Sequence, residues 1–471
     1  MFSNRSVKHR FFLRLIPIFV LALVIRVLCA IPAFQETDRL RRPDSGTYLF
    51  PAYALAEDGE MKMRPRNYPG RVSFSGAFRR DYAIDCVDQR PAVQRPPGYI
   101  VFLAGLRLIF GRSPVAFALA GCLIGALTVF PVGVTGRYLA GRRAGFWAAV
   151  LYALNLTSLA VAPLLLSDTL LGFLVAFQAM YLVKSMRTGR IRDFILGTIF
   201  AAAAVLVKPV NIPVLILLFV TAPFLMKTRR KTVCAMLLVP LISAVIIVPW
   251  MLRNRAVGAG FVIDRNSGLT ALHNTAAILA HANHSDANEI RIYLQNEADK
   301  EYNLQKREEW CLKRYREAIL AHPWSAAATH LFQVWILLPD LPDFLQNLGL
   351  RTGERGTLAV LRRDGVSAAF RHYMDGSYAA AFLSVPFVLI HAALWLLTAV
   401  GVWFYARKRR WTILIVCLLP ALYYLAAPGP VVLPRYQIPA LPFACTLAGT
   451  VISVCGIRRW RKRRSCRRCN P

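Results

Sequence analysis

Long apolar runs alternate along this chain with short, strongly basic stretches. Several runs reach the ~18–20 residues a helix needs to cross a ~30 Å hydrocarbon core, so the pattern predicts membrane-spanning helices. The first run, about 11–32, follows Arg5, Lys8, His9 and Arg10. It is too long for a signal-peptide core and has no small-residue cleavage site, so a retained anchor is expected.

The basic clusters order the runs. They are the N-terminus, Arg137/Arg142/Arg143, Lys184/Arg187/Arg190/Arg192, Lys227/Arg229/Arg230/Lys231, 407–410 and 458–468. If each lies on the cytoplasmic side, the number of crossings between neighbouring clusters is even. Helices at about 11–32, 114–136, 144–163, 168–184, 194–209, 212–226, 233–252, 379–405, 411–427 and 436–456 satisfy this. The expected fold is an all-α polytopic membrane bundle of about ten spans with both termini cytoplasmic. At about 12 residues, 99–110 is too short to span and is read as an interfacial helix. Segment 324–345, broken by Pro339 and Pro342, is read as interfacial or re-entrant.

Two large outer segments remain, 33–113 and 253–378. The chain thus divides into an N-terminal membrane module, 1–252, carrying the first outer loop, and a second outer, mostly helical segment, 253–378. C-terminal spans at 379–457 and a basic cytoplasmic tail at 458–471 complete it. Within the second outer segment, 286–322 is charged with helical spacing of Ile292, Leu294, Tyr302, Trp310, Tyr315 and Ile319, and His322-Pro323 ends it.

Composition agrees: 56% of residues are hydrophobic. The net charge of +33 lies between apolar runs rather than on one basic face with stacking aromatics, which argues against nucleic acid. Most of the ten cysteines sit in apolar runs or the tail, as small buried hydrophobes. Cys86 and Cys311 fall in outer loops where a bridge is open to them, and Cys466/Cys469 form a CxxC pattern with no second pair.

Polar groups concentrate at one membrane face: Asp44, Arg95, Asp168, Lys208, Arg253, Asn254, Arg435 and Tyr436. Each has an ordinary reading. Asp44 and Asp168 precede helix-compatible runs and suit N-caps; Lys208, Arg253 and Arg435 suit snorkelling side chains. Together, however, cations on the outer side run against the positive-inside bias, and a lipid-linked phosphate would stabilise them there. Carboxylates beside such a site suit a general base. No spacing resembles a zinc site, His273, His281 and His284 form only a loose group, and no Gly-rich phosphate loop is present.

Five motifs in order carry a resemblance. Asp44 is followed by Tyr48 after the first helix. Arg95-Pro96-Pro97-Gly98-Tyr99 precedes the interfacial helix, and Ser167-Asp168 opens an outer helix end. Pro249-Trp250-Met251-Leu252-Arg253-Asn254 begins the second outer segment, and Arg435-Tyr436-Gln437-Ile438-Pro439 opens the last helix. From about Leu15 to Val454 the chain resembles the GT-C polyprenyl-phosphate-dependent glycosyltransferases, nearest the protein O-mannosyltransferases and the lipid A aminoarabinose and galacturonosyl transferases. Gln94 stands where the aminoarabinose enzymes tend to have an acidic residue, and Ser45 where the mannosyltransferases commonly have one.

The resemblance implies transfer of a sugar from an undecaprenyl- or dolichyl-phosphate donor to lipid A, protein or glycan at the outer face, with inversion. Asp44 and Asp168 would be the catalytic carboxylates, and Arg95, Lys208, Arg435 and Tyr436 the donor-phosphate ligands. Tyr48, Tyr99, Arg253 and Asn254 would contact substrate. No obligatory cofactor is expected, and the divalent-metal requirement stays open. A bacterial inner-membrane enzyme with a periplasmic site fits the short inner loops. The alternatives are a lipid-linked sugar transporter or flippase, and an O-antigen-ligase- or oligosaccharyltransferase-like enzyme.

Overall fold

The computed structural model describes residues 3–63, 90–301, 304–331, 334–350, 357–374, 378–431 and 433–468. Among these residues regular structure is helical; the β-type feature is a single bridge between Lys62 and Pro91. Cys86 and its suggested pairing with Cys311 lie outside the described residues; Cys311 itself is buried.

The N-terminal half runs α1 (Ser3–Gln35), α2 (Gly46–Asp58), α3 (Pro97–Phe110), α4 (Pro114–Leu127), α5 (Val129–Ala140) and α6 (Arg142–Ala153). It continues with α7 (Leu156–Val161), α8 (Asp168–Thr188), α9 (Ile191–Val205), α10 (Ile212–Leu225) and α11 (Arg229–Ala256). The second outer segment holds α12 (Ser267–Asn283), α13 (Ala287–Asp299), α14 (Leu304–Ala321), α15 (Pro323–Leu331), α16 (Leu341–Asn347) and α17 (Thr357–Met374). The chain closes with α18 (Tyr378–Arg407), α19 (Trp411–Ala426) and α20 (Leu441–Arg468).

Among the described residues six stretches are long and apolar enough to cross a membrane: Arg10–Gln35, Pro114–Ala140, Asp168–Thr188, Arg229–Ala256, Phe382–Arg407 and Pro434–Cys455. The chain is an integral membrane protein. Residues such as Val20, Val24 and Leu28 on α1 and Leu237, Leu241 and Val245 on α11 are exposed, as lipid-facing positions are. The other four expected crossings are also helical, as α6, α9, α10 and α19, but each is shorter than a full span. Residues 144–163 are not one continuous helix. α6 stops at Ala153, and the Asn155 side chain accepts from the Ser158 N–H at 3.0 Å to start α7 afresh.

Segment 324–345 is broken into α15, a 3₁₀ turn at Val334–Leu337 and α16, none of spanning length. The basic tail is not separate from the last span, because α20 continues through it to Arg468.

Small residues let the inner helices close on one another. A Cβ on Gly449 of α20 would meet the Ala144 carbonyl at 2.6 Å, so only glycine allows this approach. Arg26 of α1 is fully buried and donates to Ala153 O at 3.2 Å and Ser158 Oγ at 2.6 Å. It thereby satisfies a carbonyl at the C-terminal end of α6, where a cation opposes the helix dipole.

Candidate active site

The stretch after α1 turns back at once. Thr37–Leu40 and Pro43–Ser45 are 3₁₀ turns, and Ser45 Oγ accepts from the Arg42 N–H at 2.9 Å. This turn sets Asp44 at the entrance of α2, while Thr47 donates to the Asp44 carbonyl at 2.7 Å.

Arg95 reaches the same point from the other end of the first outer loop. Pro96 is held extended by the proline that follows it, and Pro97, with φ preset for a helix, starts α3. Gly98 N–H then donates to Leu206 O at 2.7 Å, and a Cβ there would sit 2.7 Å from that oxygen, so this position admits glycine alone. The contact binds the start of α3 to the end of α9, beside Lys208. Lys208 lies in a turn held by Asn211, whose amide donates to Ala201 O at 2.6 Å, and by Tyr423, which donates to Val210 O at 2.6 Å. Arg435 comes from the 3₁₀ turn Pro434–Ala440, anchored where Gln437 donates to Leu338 O at 2.8 Å.

These elements converge on two carboxylates. Asp44 accepts from Arg95 through Oδ1 and from Arg435 through Oδ2, each at 2.8 Å. Arg95 Nε also donates to Thr47 Oγ1 at 3.0 Å. Asp168, at the start of α8, accepts from Lys208 Nζ at 2.6 Å. Aromatic rings wall the cations. Arg95 lies 5.1 Å from the Tyr48 ring centre, and Lys208 and Arg435 lie 5.3 and 5.5 Å from that of Tyr436. Tyr48 meets Tyr99 edge-on at 5.2 Å and its hydroxyl contacts Ser167 Oγ at 3.1 Å.

Neither aspartate spends its side chain on a helix cap. Burial alone would raise the Asp44 carboxyl, but Arg95, then Arg435 and Lys208, outweigh it and hold it below the usual carboxylate range. Arg435 keeps donor capacity in hand: its buried Nε has no partner among the described residues. A phosphate oxygen suits such a donor.

Arg253 and Asn254 are placed differently. Arg253 donates to Ala92 O and Met61 O at 2.9 and 2.8 Å, and Asn254 donates to Val262 O at 2.9 Å. Both side chains tie backbone segments together: Arg253 holds the two strands of the Lys62–Pro91 bridge, and Asn254 holds the start of the second outer segment.

Other polar residues near the site carried no sequence signal. Asp340 is buried, and burial, then neighbouring Asp343, pushes its carboxyl well up despite Arg435 and Arg42. Asp343 pairs with Arg42 at 2.8 Å, so the second outer segment is fastened beside Asp44. Asp264 is brought towards Arg95 where Arg265 N–H donates to Val93 O at 2.9 Å. Burial raises its carboxyl to about 6, against the Asn266 N–H and Arg95. The pairing of Asp343 with Arg42 depends on a fold contact across some three hundred positions, and no local pattern encodes it. Among the described residues no group of three or more His, Cys, Asp or Glu is placed to hold a metal ion.

A family model described as dolichyl-phosphate-mannose-protein mannosyltransferase matches residues 94–252. That stretch holds Arg95, Tyr99, Asp168 and Lys208. No curated protein sequence matches the chain. The apo oligosaccharyltransferase of Archaeoglobus fulgidus is similar in structure, with a TM-score of 0.51 and 13% identity, covering 96% of this chain and 52% of that one. ArnT from Cupriavidus metallidurans bound to undecaprenyl phosphate gives a TM-score of 0.47 at 14% identity, over 95% of this chain and 61% of that one. The chain thus spans about half the length of the oligosaccharyltransferase. By family model over 94–252 and by fold over nearly its whole length, the chain resembles the GT-C polyprenyl-phosphate-dependent glycosyltransferases.

Proposed function

We propose that this protein transfers a sugar from a polyprenyl-phosphate donor to a hydroxyl or phosphate acceptor on lipid A, protein or glycan at the outer membrane face. One observation carries the reading: Asp44 and Asp168 stand among three cations, Arg95, Lys208 and Arg435, at the ends of several helices. The family description matched over 94–252 supports a lipid-phosphate sugar as donor.

In the proposed reaction Asp44 takes the acceptor hydroxyl proton as that oxygen forms a bond to the anomeric carbon. The bond from that carbon to the phosphate oxygen breaks, and its electron pair leaves with the lipid phosphate. The leaving phosphate needs no proton, so a general acid is not required, and Arg95, Lys208 and Arg435 stabilise the charge that develops on it. In-line attack inverts the anomeric centre.

The resting arrangement adds a condition. A carboxylate with both oxygens on guanidinium groups is a weak base. A donor phosphate that draws Arg95 and Arg435 to itself would release Asp44 for the acceptor. Asp168 then keeps Lys208 oriented.

The test is mass spectrometry of surface lipids and proteins from cells with and without the gene, followed by transfer with purified protein in detergent. A sugar missing from one acceptor class, and restored by detergent-solubilised protein fed a lipid-monophosphate sugar, is the expected result. Dependence on a sealed membrane would point to a flippase instead. The fold shared with the archaeal oligosaccharyltransferase favours a second reading, transfer of a whole glycan from a lipid diphosphate, which the same assay separates by donor.

A further inference from the structure

At the far end of α1 from Asp44 lies a cavity of about 370 Å³ lined by Phe11, Arg14, Arg142, Arg143, Phe146 and Trp147. Its construction follows from the α5–α6 hairpin. Gly141, with φ 92°, turns the chain, and α6 then packs so closely on α1 that a Cβ on Gly145 would lie 2.8 Å from the Phe11 ring. Phe11 therefore forms a buried floor, while Arg14, Arg142 and Arg143 stay exposed at the rim.

Among the described residues none of these three arginines has a carboxylate or other hydrogen-bonding partner. Arg137, the next basic residue along, lies over the Phe11 ring at 5.0 Å and adds a fourth positive charge nearby. Three to four cations without a counter-charge around one concavity call for an anion. The walls point to a particular kind. Phe146 and Trp147 meet edge-on at 5.5 Å and are 38% and 39% exposed. From the rim, Phe12, Leu13 and Ile16 continue an exposed apolar face along α1. At 1.5 Å per residue, Arg14 stands roughly 30 Å from the end of α1, which is one hydrocarbon thickness. The pocket is thus at the headgroup level of the leaflet opposite Asp44, where basic pockets between helices suit acidic headgroups.

We propose that this pocket binds an anionic membrane phospholipid, its phosphate on Arg14, Arg142 and Arg143 and an acyl chain along Trp147 and the apolar face of α1. The inference uses the membrane-spanning reading and is independent of the transferase reading.

Native mass spectrometry of the full chain, delipidated in neutral detergent, tests it. The probes are dioleoyl-phosphatidylglycerol, dioleoyl-phosphatidylcholine and glycerol 3-phosphate. The expected result is retention of phosphatidylglycerol at least about tenfold above phosphatidylcholine, since each basic group near an acidic headgroup contributes appreciably. The double variant Arg142→Gln/Arg143→Gln should lose about tenfold of that retention. Lys313→Gln/Arg316→Gln, which removes the same charge from the outer segment, should keep it. If the double variant does not fold, Arg14→Gln alone should lose severalfold. Equal retention of both lipids, equal loss in the control variant, or displacement by glycerol 3-phosphate at equimolar concentration would each overturn the proposal; the last would assign a soluble phosphate site.

Discussion

Asp44 and Asp264 both lie within electrostatic reach of Arg95, yet their carboxyls are driven in opposite directions. Burial raises both. Asp44 overcomes it because each oxygen meets a guanidinium at 2.8 Å. Asp264 does not, because the hydrogen bond it accepts comes from the neutral Asn266 N–H at 3.4 Å. Two directly hydrogen-bonded cations decide the outcome where one distant cation fails. The first carboxylate is thus kept ionised and held in place, whereas the second remains protonatable near neutrality.

Loss of the Asp44 carboxylate has the largest expected effect. On the transferase reading Asp44→Asn lowers the rate by about 2–4 powers of ten, the range for loss of a general base, in sugar-transfer assays on folded protein. Wild-type turnover would remove Asp44 from the chemistry. Arg435→Gln takes away one of the three cations that hold Asp44 low. Its carboxyl then titrates at higher pH, so the acid limb of the rate profile moves upward, and donor KM rises.

Smaller effects fall on stability. Arg253→Ala strips charged donors from the Met61 and Ala92 carbonyls and should cost about 1–3 kcal/mol in thermal unfolding, with little change in donor KM. Asp264→Asn probes the other half of the comparison. A carboxyl raised in the folded state binds its proton more tightly there than when unfolded, so its ionisation costs stability as pH rises through the window from about 4 to about 6. The variant should therefore be more stable than wild type at pH 7.5, by about 1 kcal/mol after solvent screening, and no different below pH 4. A variant equally or less stable at pH 7.5 would contradict the raised carboxyl.

The parts of the site that were legible in the chain were those that violate a bias. Arg95, Lys208 and Arg435 stood out because cations are scarce on the outer side of spans, and Asp44 stood out by following the first helix. Arg253 carried the same signal but turned out to serve backbone carbonyls, because charge pattern alone does not say which acceptor a guanidinium finds. Asp264 and Asp340 were illegible since their environments are made by segments far apart in sequence. Helix positions were readable from apolar run length, but their continuity was not. Asn155 restarts a helix within 144–163 through a local side-chain bond that hydropathy averages away. Likewise the basic tail reads as a separate charged segment, yet it continues the helix that precedes it.

The bridge between Lys62 and Pro91 has a consequence for rebuilding the molecule. Met63 N–H donates to Arg90 O and Ala92 N–H to Met61 O, each at 2.9 Å, and Arg253 fastens both sides. Met63 and Arg90 are therefore held side by side by a closed collar of backbone and guanidinium contacts. Because loop closure costs only about 0.6 kcal/mol for each doubling of length, the number of residues joining Met63 to Arg90 should matter little to the collar. Inserting or deleting residues there should therefore leave Asp44 and Arg95, on either side, in register.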